Sequence, residues 1–313
     1  MSTSVRVGTE STATLGGRRE TLISRIARQT GRMGLLFPAV ALMAVFLVGP
    51  IAYSVYGSLT NAALSGYKAA NPEFVGLENY AELLTSNAFW KAVLLTVIFV
   101  FASAVVGQNV LGLALAMLMR KAPKILSTLV GGVVVIAWVM PEIVAAFALY
   151  AFFSTDGTLN VLLSYIGLGG TTWLLTFPMF SVIMANIWRG TAFSMMVYSA
   201  ALAEVPPEIQ EAAKVDGARG WQRFFFVTLP MIKGSISTNL LLTTLQTLGV
   251  FTLLWVMTGG GPGTQSTTLP VMAYQEAFKN SLIGYGTAIA TVTIVLGALF
   301  ALVYIRALKP EVD

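Results

Sequence analysis

The 313-residue chain contains no cysteine and no histidine, and only 11% of its residues are Asp, Glu, Lys or Arg. Without cysteine there are no disulfides and no thiolate chemistry. Without histidine the commonest metal sites are gone as well. The scarcity of charge excludes an ordinary water-soluble domain, in which about a quarter of residues are charged. No nucleophile with an adjacent base, no carboxylate dyad and no phosphate-cradling loop occurs, so the chain carries no catalytic chemistry of its own and needs no cofactor or metal.

What fills the sequence instead is apolar. Hydrophobic residues make up 56% of it, and mean hydropathy is +0.77. The expectation is an all-α integral membrane protein, because a helix satisfies all of its backbone groups internally while crossing lipid. About 20 apolar residues span the hydrocarbon. Six segments qualify, near 33–58, 91–119, 125–153, 173–202, 229–257 and 284–307. Pro38, Pro50, Pro141 and Pro178 are placed to bend or cap them.

Orientation follows from the basic residues. Arg6, Arg18, Arg19, Arg25, Arg28 and Arg32 precede the first span, and Arg120, Lys121 and Lys124 follow the second. Lys214, Arg219, Arg223 and Lys233 lie between the fourth and fifth, and Arg306 and Lys309 at the end. The opposite side carries only Lys68, Lys91 and Lys279. Both termini are therefore expected in the cytoplasm. This asymmetry also explains the net charge of +5 without any nucleic-acid partner. Residues 1–31, rich in Ser, Thr, Gly and Arg, read as a cytoplasmic tail, and residues 32–313 as one six-span domain. Arg18-Arg19 ahead of an apolar run suggests an export signal, but that run is too long for a cleavable one.

One cytoplasmic stretch, residues 204–226, mixes charge, small residues and aromatics. Pro206 and Pro207 open a short helix, with Glu208 and Glu211 at its positive end. Ala212, Ala213, Gly217 and Ala218 leave a face almost without bulk, Gly217 and Gly220 close the helix, and Trp221, Phe224 and Phe225 add an aromatic surface. The result is a helix-turn-helix knob suited to a groove in a partner, or a loop folded back on its own bundle.

Glu211-Ala212-Ala213, Asp216-Gly217-Ala218, Phe224 and Thr228-Leu229-Pro230 together resemble the EAA signature of bacterial ABC-importer permeases. Phe74-Val75-Gly76-Leu77-Glu78-Asn79-Tyr80, ahead of the second span, and Gly259 to Gly263, after the fifth, are similar to sugar-type members, of the maltose and glycerol-phosphate kind. The long tail and the small extracytoplasmic side look most like the trehalose-importer permeases of mycobacteria. The resemblance implies the type I importer permease fold, with six transmembrane helices and a cytoplasmic coupling helix. It assigns ATPase coupling to Glu211, Ala212, Ala213, Asp216, Gly217, Ala218 and Phe224. The implied partners are a second homologous permease, two copies of a cytoplasmic ABC ATPase, an extracytoplasmic sugar-binding lipoprotein, membrane lipid and a sugar substrate. The implied location is the bacterial plasma membrane. The implied cargo is a disaccharide of the trehalose or maltose class, with glycerol phosphate and longer oligosaccharides as alternatives.

Polar groups inside lipid either line a path or join helices. Asn239, Thr243, Gln246, Thr247 and Val250 recur at helical spacing in the fifth span, and Asn186, Gly190 and Phe193 in the fourth. A neutral sugar needs hydroxyl and amide partners, room beside a glycine and an aromatic face. The resemblance assigns sugar contacts to these positions and to Ala145. Arg189 and Glu142 are the charges deepest in the apolar runs, placed to pair or to reach water. The rival reading is an ion-coupled secondary carrier, which needs intramembrane acids; only Glu142 qualifies.

Overall fold

The structure is a computed structural model and describes residues 37–307. These fall into two compact units that meet between Tyr53 and Ser54. Before that boundary the described chain is the first part of helix α1 (Phe37–Ser58), whose apolar side chains, such as Phe37 and Phe46, are exposed. The tail expected at 1–31 lies outside the described residues. So do the last six positions of the chain.

From Ser54 onward the described residues form helices joined by loops, with a single isolated bridge between Thr60 and Phe74. A short helix, α2 (Glu78–Thr85), precedes α3 (Asn87–Lys121). The hydroxyl of Ser86 opens α3 by accepting from the Phe89 amide at 3.3 Å. Wide π-type turns over Val100–Gln108 interrupt its regular winding. Such turns occur where a helix is shaped for a site or a neighbour. Then come α4 (Lys124–Val139), α5 (Glu142–Phe153) and α6 (Thr158–Tyr165). The long α7 (Pro178–Ala203) follows, its first turn formed by a proline that needs no amide partner there.

After it come α8 (Pro207–Val215), α9 (Gly220–Met231) and α10 (Lys233–Leu248). The described residues end with α11 (Thr252–Met257), α12 (Leu269–Tyr274) and α13 (Ile283–Ala307).

Among the described residues, four helices are long and apolar enough to cross a membrane: Phe37–Ser58, Asn87–Lys121, Glu142–Tyr165 and Ile283–Arg306. A fifth crossing arises if α9 and α10, bent by 70° at Ile232, act together. α7 is longer than most of these yet more polar, and more than half of it is buried inside the chain. Three segments expected as single spans are broken, 173–202 of them at Phe177, just ahead of α7. Residues 125–153 divide at Met140 and Pro141, since the residue before a proline is pushed out of the helical region and Met140 sits at φ −56°, ψ 132°. Residues 229–257 break after Leu248, at Gly249 and Val250.

Three packed clusters hold this unit together. Phe99, Val182, Ile183, Leu253 and Leu254 join α3, α7 and α11. Leu83, Phe89, Leu269 and Ile289 join α2, α3, α12 and α13. Ala116, Met195, Tyr198, Leu202, Val205 and Ile232 form the third, at the end of the bundle that carries α8. In lipid this packing stabilises through close van der Waals fit, because lipid tails are as apolar as leucine.

Candidate functional site: a protruding knob and a buried polar ladder

The knob forms as its sequence dictates. Pro206 is the N-cap of α8, Pro207 occupies its first turn, and Glu208 lies beside them at the positive helix end. The helix closes in a Schellman turn: the Gly217 amide donates to Lys214 O at 3.2 Å and the Ala218 amide to Ala213 O at 3.0 Å. This turn requires a left-handed residue, and Gly217 supplies it at φ +80°. Gly220, expected to end α8, instead begins α9, where Gln222 Oε1 accepts from the Arg219 amide at 2.7 Å.

No residue of α8 is buried. Glu211, Ala212, Asp216 and Gly217 are exposed, while Ala213, Ala218 and Phe224 are half-buried. The two roots of the knob are nonetheless firmly seated, with Leu202 and Val205 on one side and Ile232 on the other, each at 4% exposure or less. Gln210 Nε2 ties α8 to α9 by donating to Thr228 Oγ1 at 2.8 Å. The arrangement is a small, bare helix on a rigid base. Among the described residues none buries α8.

In the interior, polar side chains of α3, α7 and α10 form a ladder. Asn186 Nδ2 donates to Ser103 Oγ at 2.8 Å and lies 3.3 Å from Thr247 Oγ1. Asn239 Nδ2 donates to Asn109 Oδ1 at 2.8 Å and to Ser194 Oγ at 2.9 Å. Tyr198 donates its hydroxyl proton to the same Asn109 oxygen, and Asn109 Nδ2 reaches Thr243 Oγ1 at 3.4 Å. Asn186, Thr243 and Thr247 are thereby buried and engaged within the chain. The helix-joining role, one of the two open to them, accounts for all three. Ser103, Gln108, Asn109, Ser194 and Tyr198 were not singled out from sequence. Three polar residues within seven positions of an apolar run, Ser103, Gln108 and Asn109, were the available signal.

The remaining pathway positions separate. A side chain at Gly190 would run into the Gln108 amide, so the glycine admits that side chain between α7 and α3. Phe193 is half-buried with its ring 5.9 Å from that of Trp138. Ala145 is fully buried. Val250 lies beyond the end of α10, because Gly249 closes that helix, and so is not part of its stripe. Gln246 is exposed. Glu142 and Arg189 do not pair: Glu142 Oε1 accepts from the Leu253 amide at 3.3 Å, and Arg189 Nε is buried without a hydrogen-bond partner.

Two further loops are braced. Asn79 Nδ2 donates to Ser58 O at 2.8 Å and Thr60 O at 2.9 Å, and the Tyr80 and Ser58 hydroxyls are 2.6 Å apart. The glycine run from 259 to 263 is held by Thr267 and Gln275, which donate to Gly260 O and Gly259 O. Only its tip, Gly263 to Gln265, is exposed.

A helical membrane bundle that presents a bare, exposed helix on a rigid base is the form of a transporter's membrane subunit. Residues 108–313 match the model of the binding-protein-dependent transport system inner membrane component family, and the chain belongs to that family. It is 31% identical over 290 residues to the trehalose/maltose transport system permease protein MalF of Thermococcus litoralis, covering 91% of this chain and 96% of that protein. It is 33% identical over 284 residues to the trehalose transport system permease protein SugA of Mycobacterium tuberculosis, covering 90% of each. It is also similar to the diacetylchitobiose uptake system permease protein DasB of Streptomyces coelicolor, at 30% identity over 95% of this chain and 92% of that one.

Among solved structures, a chain of a bacterial ABC transporter that imports alginate superposes with a TM-score of 0.77 at 23% identity, over 94% of this chain and all of that one. At that identity the likeness speaks to the fold, which is that of a type I ABC-importer permease. The protein is a multi-pass inner-membrane permease.

Proposed function

We propose that the chain is one of two permease subunits of an ATP-driven sugar importer and forms half of the path for a disaccharide of the trehalose or maltose class. The exposed, bare α8 on its braced base is the observation that carries the coupling half of this reading. Its surface, Glu211, Ala212, Ala213, Asp216, Gly217 and Ala218 with Phe224 behind it, suits a cleft in a cytoplasmic ATPase. ATP-driven closure of two such ATPases moves the knobs, and the bundles tilt between inward-open and outward-open forms. The polar ladder makes α3, α7 and α10 move as one body.

On this reading the chain crosses the membrane six times, with residues 1–31 and the C-terminus in the cytoplasm and residues 32–313 as the permease domain. ATP hydrolysis belongs to the partner. An extracytoplasmic sugar-binding protein delivers the substrate. The trehalose and maltose names of relatives matched over nine-tenths of the chain support the sugar class. The sugar-facing groups within this subunit are Gln246, Phe193, Val250 and Arg189, which the ladder does not consume; Asn186, Thr243, Thr247, Gly190 and Ala145 support them from behind.

The test is uptake by the reconstituted complex across a panel of disaccharides, glycerol phosphate and oligosaccharides, with Glu211→Lys as the variant. Disaccharide uptake that needs ATP and is lost with the ATPase in Glu211→Lys supports the proposal. Uptake driven by an ion gradient alone refutes it.

A further inference from the structure

Beside the knob, between the ends of α3 and α7 and helices α8 and α9, lies a cavity of about 570 Å³. Arg120, Lys121 and Arg223 line it, and among the described residues no Asp or Glu does. Arg223 Nε is buried there without a hydrogen-bond partner. A buried donor left unmet is costly, and a charged one more so. Arg120 and Lys121 are exposed at its mouth and Arg223 is half-buried, so three cations converge on one cavity and suit an anion.

The remaining wall says which anion. Trp221 and Phe225 face the cavity, and both are more than half exposed, as is the neighbouring Phe226. α9, which carries all three rings and Arg223, is turned 70° from α10. With α10 crossing the bilayer, α9 lies nearer the membrane plane, at the depth where aromatic rings and basic side chains meet headgroups. A small soluble anion has no use for such a wall. A phosphate attached to a glycerol and acyl chains uses both halves of the site, and basic pockets on this side of membranes suit such headgroups.

We propose that this cavity binds the headgroup of an anionic phospholipid. Its phosphate is held by Arg120, Lys121 and Arg223, and its glycerol and upper acyl segment lie along Trp221 and Phe225. The occupied site also steadies the knob. Thr228 donates to Arg223 O at 3.3 Å and accepts from Gln210 of α8 at 2.8 Å, so the residue that grips the lipid is two hydrogen bonds from the coupling helix. This inference rests on the cytoplasmic placement of the knob proposed above.

The test is native mass spectrometry of the purified full chain released from nanodiscs of phosphatidylcholine with or without phosphatidylglycerol. The variants are Arg223→Gln and Gly220→Glu, with Gly220→Ala as control. Position 220 lines the cavity and has open space around it, so a side chain there leaves the fold intact while an acid repels phosphate. The expected result is one phosphatidylglycerol retained by the wild type and by Gly220→Ala, and lost from Arg223→Gln and Gly220→Glu. Phosphatidylcholine is not retained, and millimolar inorganic phosphate does not displace the lipid.

Equal retention by wild type and Gly220→Glu, or equal retention of phosphatidylcholine, overturns the proposal, as does full displacement by inorganic phosphate. The assay contains no ATPase, so its failure and failure of the coupling reading are separate outcomes.

Discussion

Asn239 donates to Asn109 at 2.8 Å between α10 and α3, with both side chains buried and the Tyr198 hydroxyl converging on the same acceptor. Hydrogen bonds between membrane helices contribute about 0.6 kcal/mol on average. Asn239→Ala, which removes two of them, is therefore expected to destabilise the chain by about 1 kcal/mol. Equilibrium unfolding in mixed micelles measures it. Because the two residues share a bond, a double-mutant cycle with Asn109→Ala should give less than the sum of the single effects.

Gly190 faces the amide end of the Gln108 side chain so closely that any side chain there forces Gln108 to move from its buried place. Gly190→Ala is expected to cost about 1–3 kcal/mol, the usual range for overpacking. Gln108→Ala should return most of that loss by clearing the space. A sugar-admitting glycine behaves differently: Gly190→Ala then lowers uptake without lowering stability, and Gln108→Ala restores nothing. Melting temperature and uptake measured on the same preparations separate the two.

Glu142 is engaged by the Leu253 amide and Arg189 is not its partner. The effects of Glu142→Ala and Arg189→Ala on uptake should therefore add, to within about 0.5 kcal/mol when expressed as free energies. A double variant healthier than Arg189→Ala alone would show that the two charges meet during the transport cycle.

Gly217 holds the Schellman turn at φ +80°. Gly217→Val places a β-branched residue in that conformation, at a cost of about 1–3 kcal/mol. The strain should fall on the turn, reducing ATPase retention more than the stability of the bundle. Pull-down of the ATPase, compared with thermal melting, distinguishes a local effect from a general one.

The knob was legible because its grammar is local: prolines open it and a glycine closes it. The motif around Asn79 could be matched by pattern, but its clamp on Ser58 and Thr60 depends on chain that lies about 20 residues away and has no local signal. The polar stripe was legible as a stripe only. Helical spacing says that Asn239, Thr243 and Thr247 share a face, not what covers that face, and α3 and α7 cover it. Val250 seemed to continue the stripe because spacing does not reveal where a helix stops, and Gly249 stops this one. Gly190 was ambiguous for the same reason: its role is set by Gln108, a residue 82 positions earlier.

The absence of cysteine makes the decisive measurement simple. Ala212→Cys introduces a single thiol on the exposed face of α8, and a membrane-impermeant maleimide reports which side it faces and what covers it. The account predicts no labelling in intact spheroplasts, labelling in inside-out vesicles stripped of the ATPase, and protection when the ATPase is added back. Labelling from the outside, or labelling that the bound ATPase leaves unchanged, would contradict it.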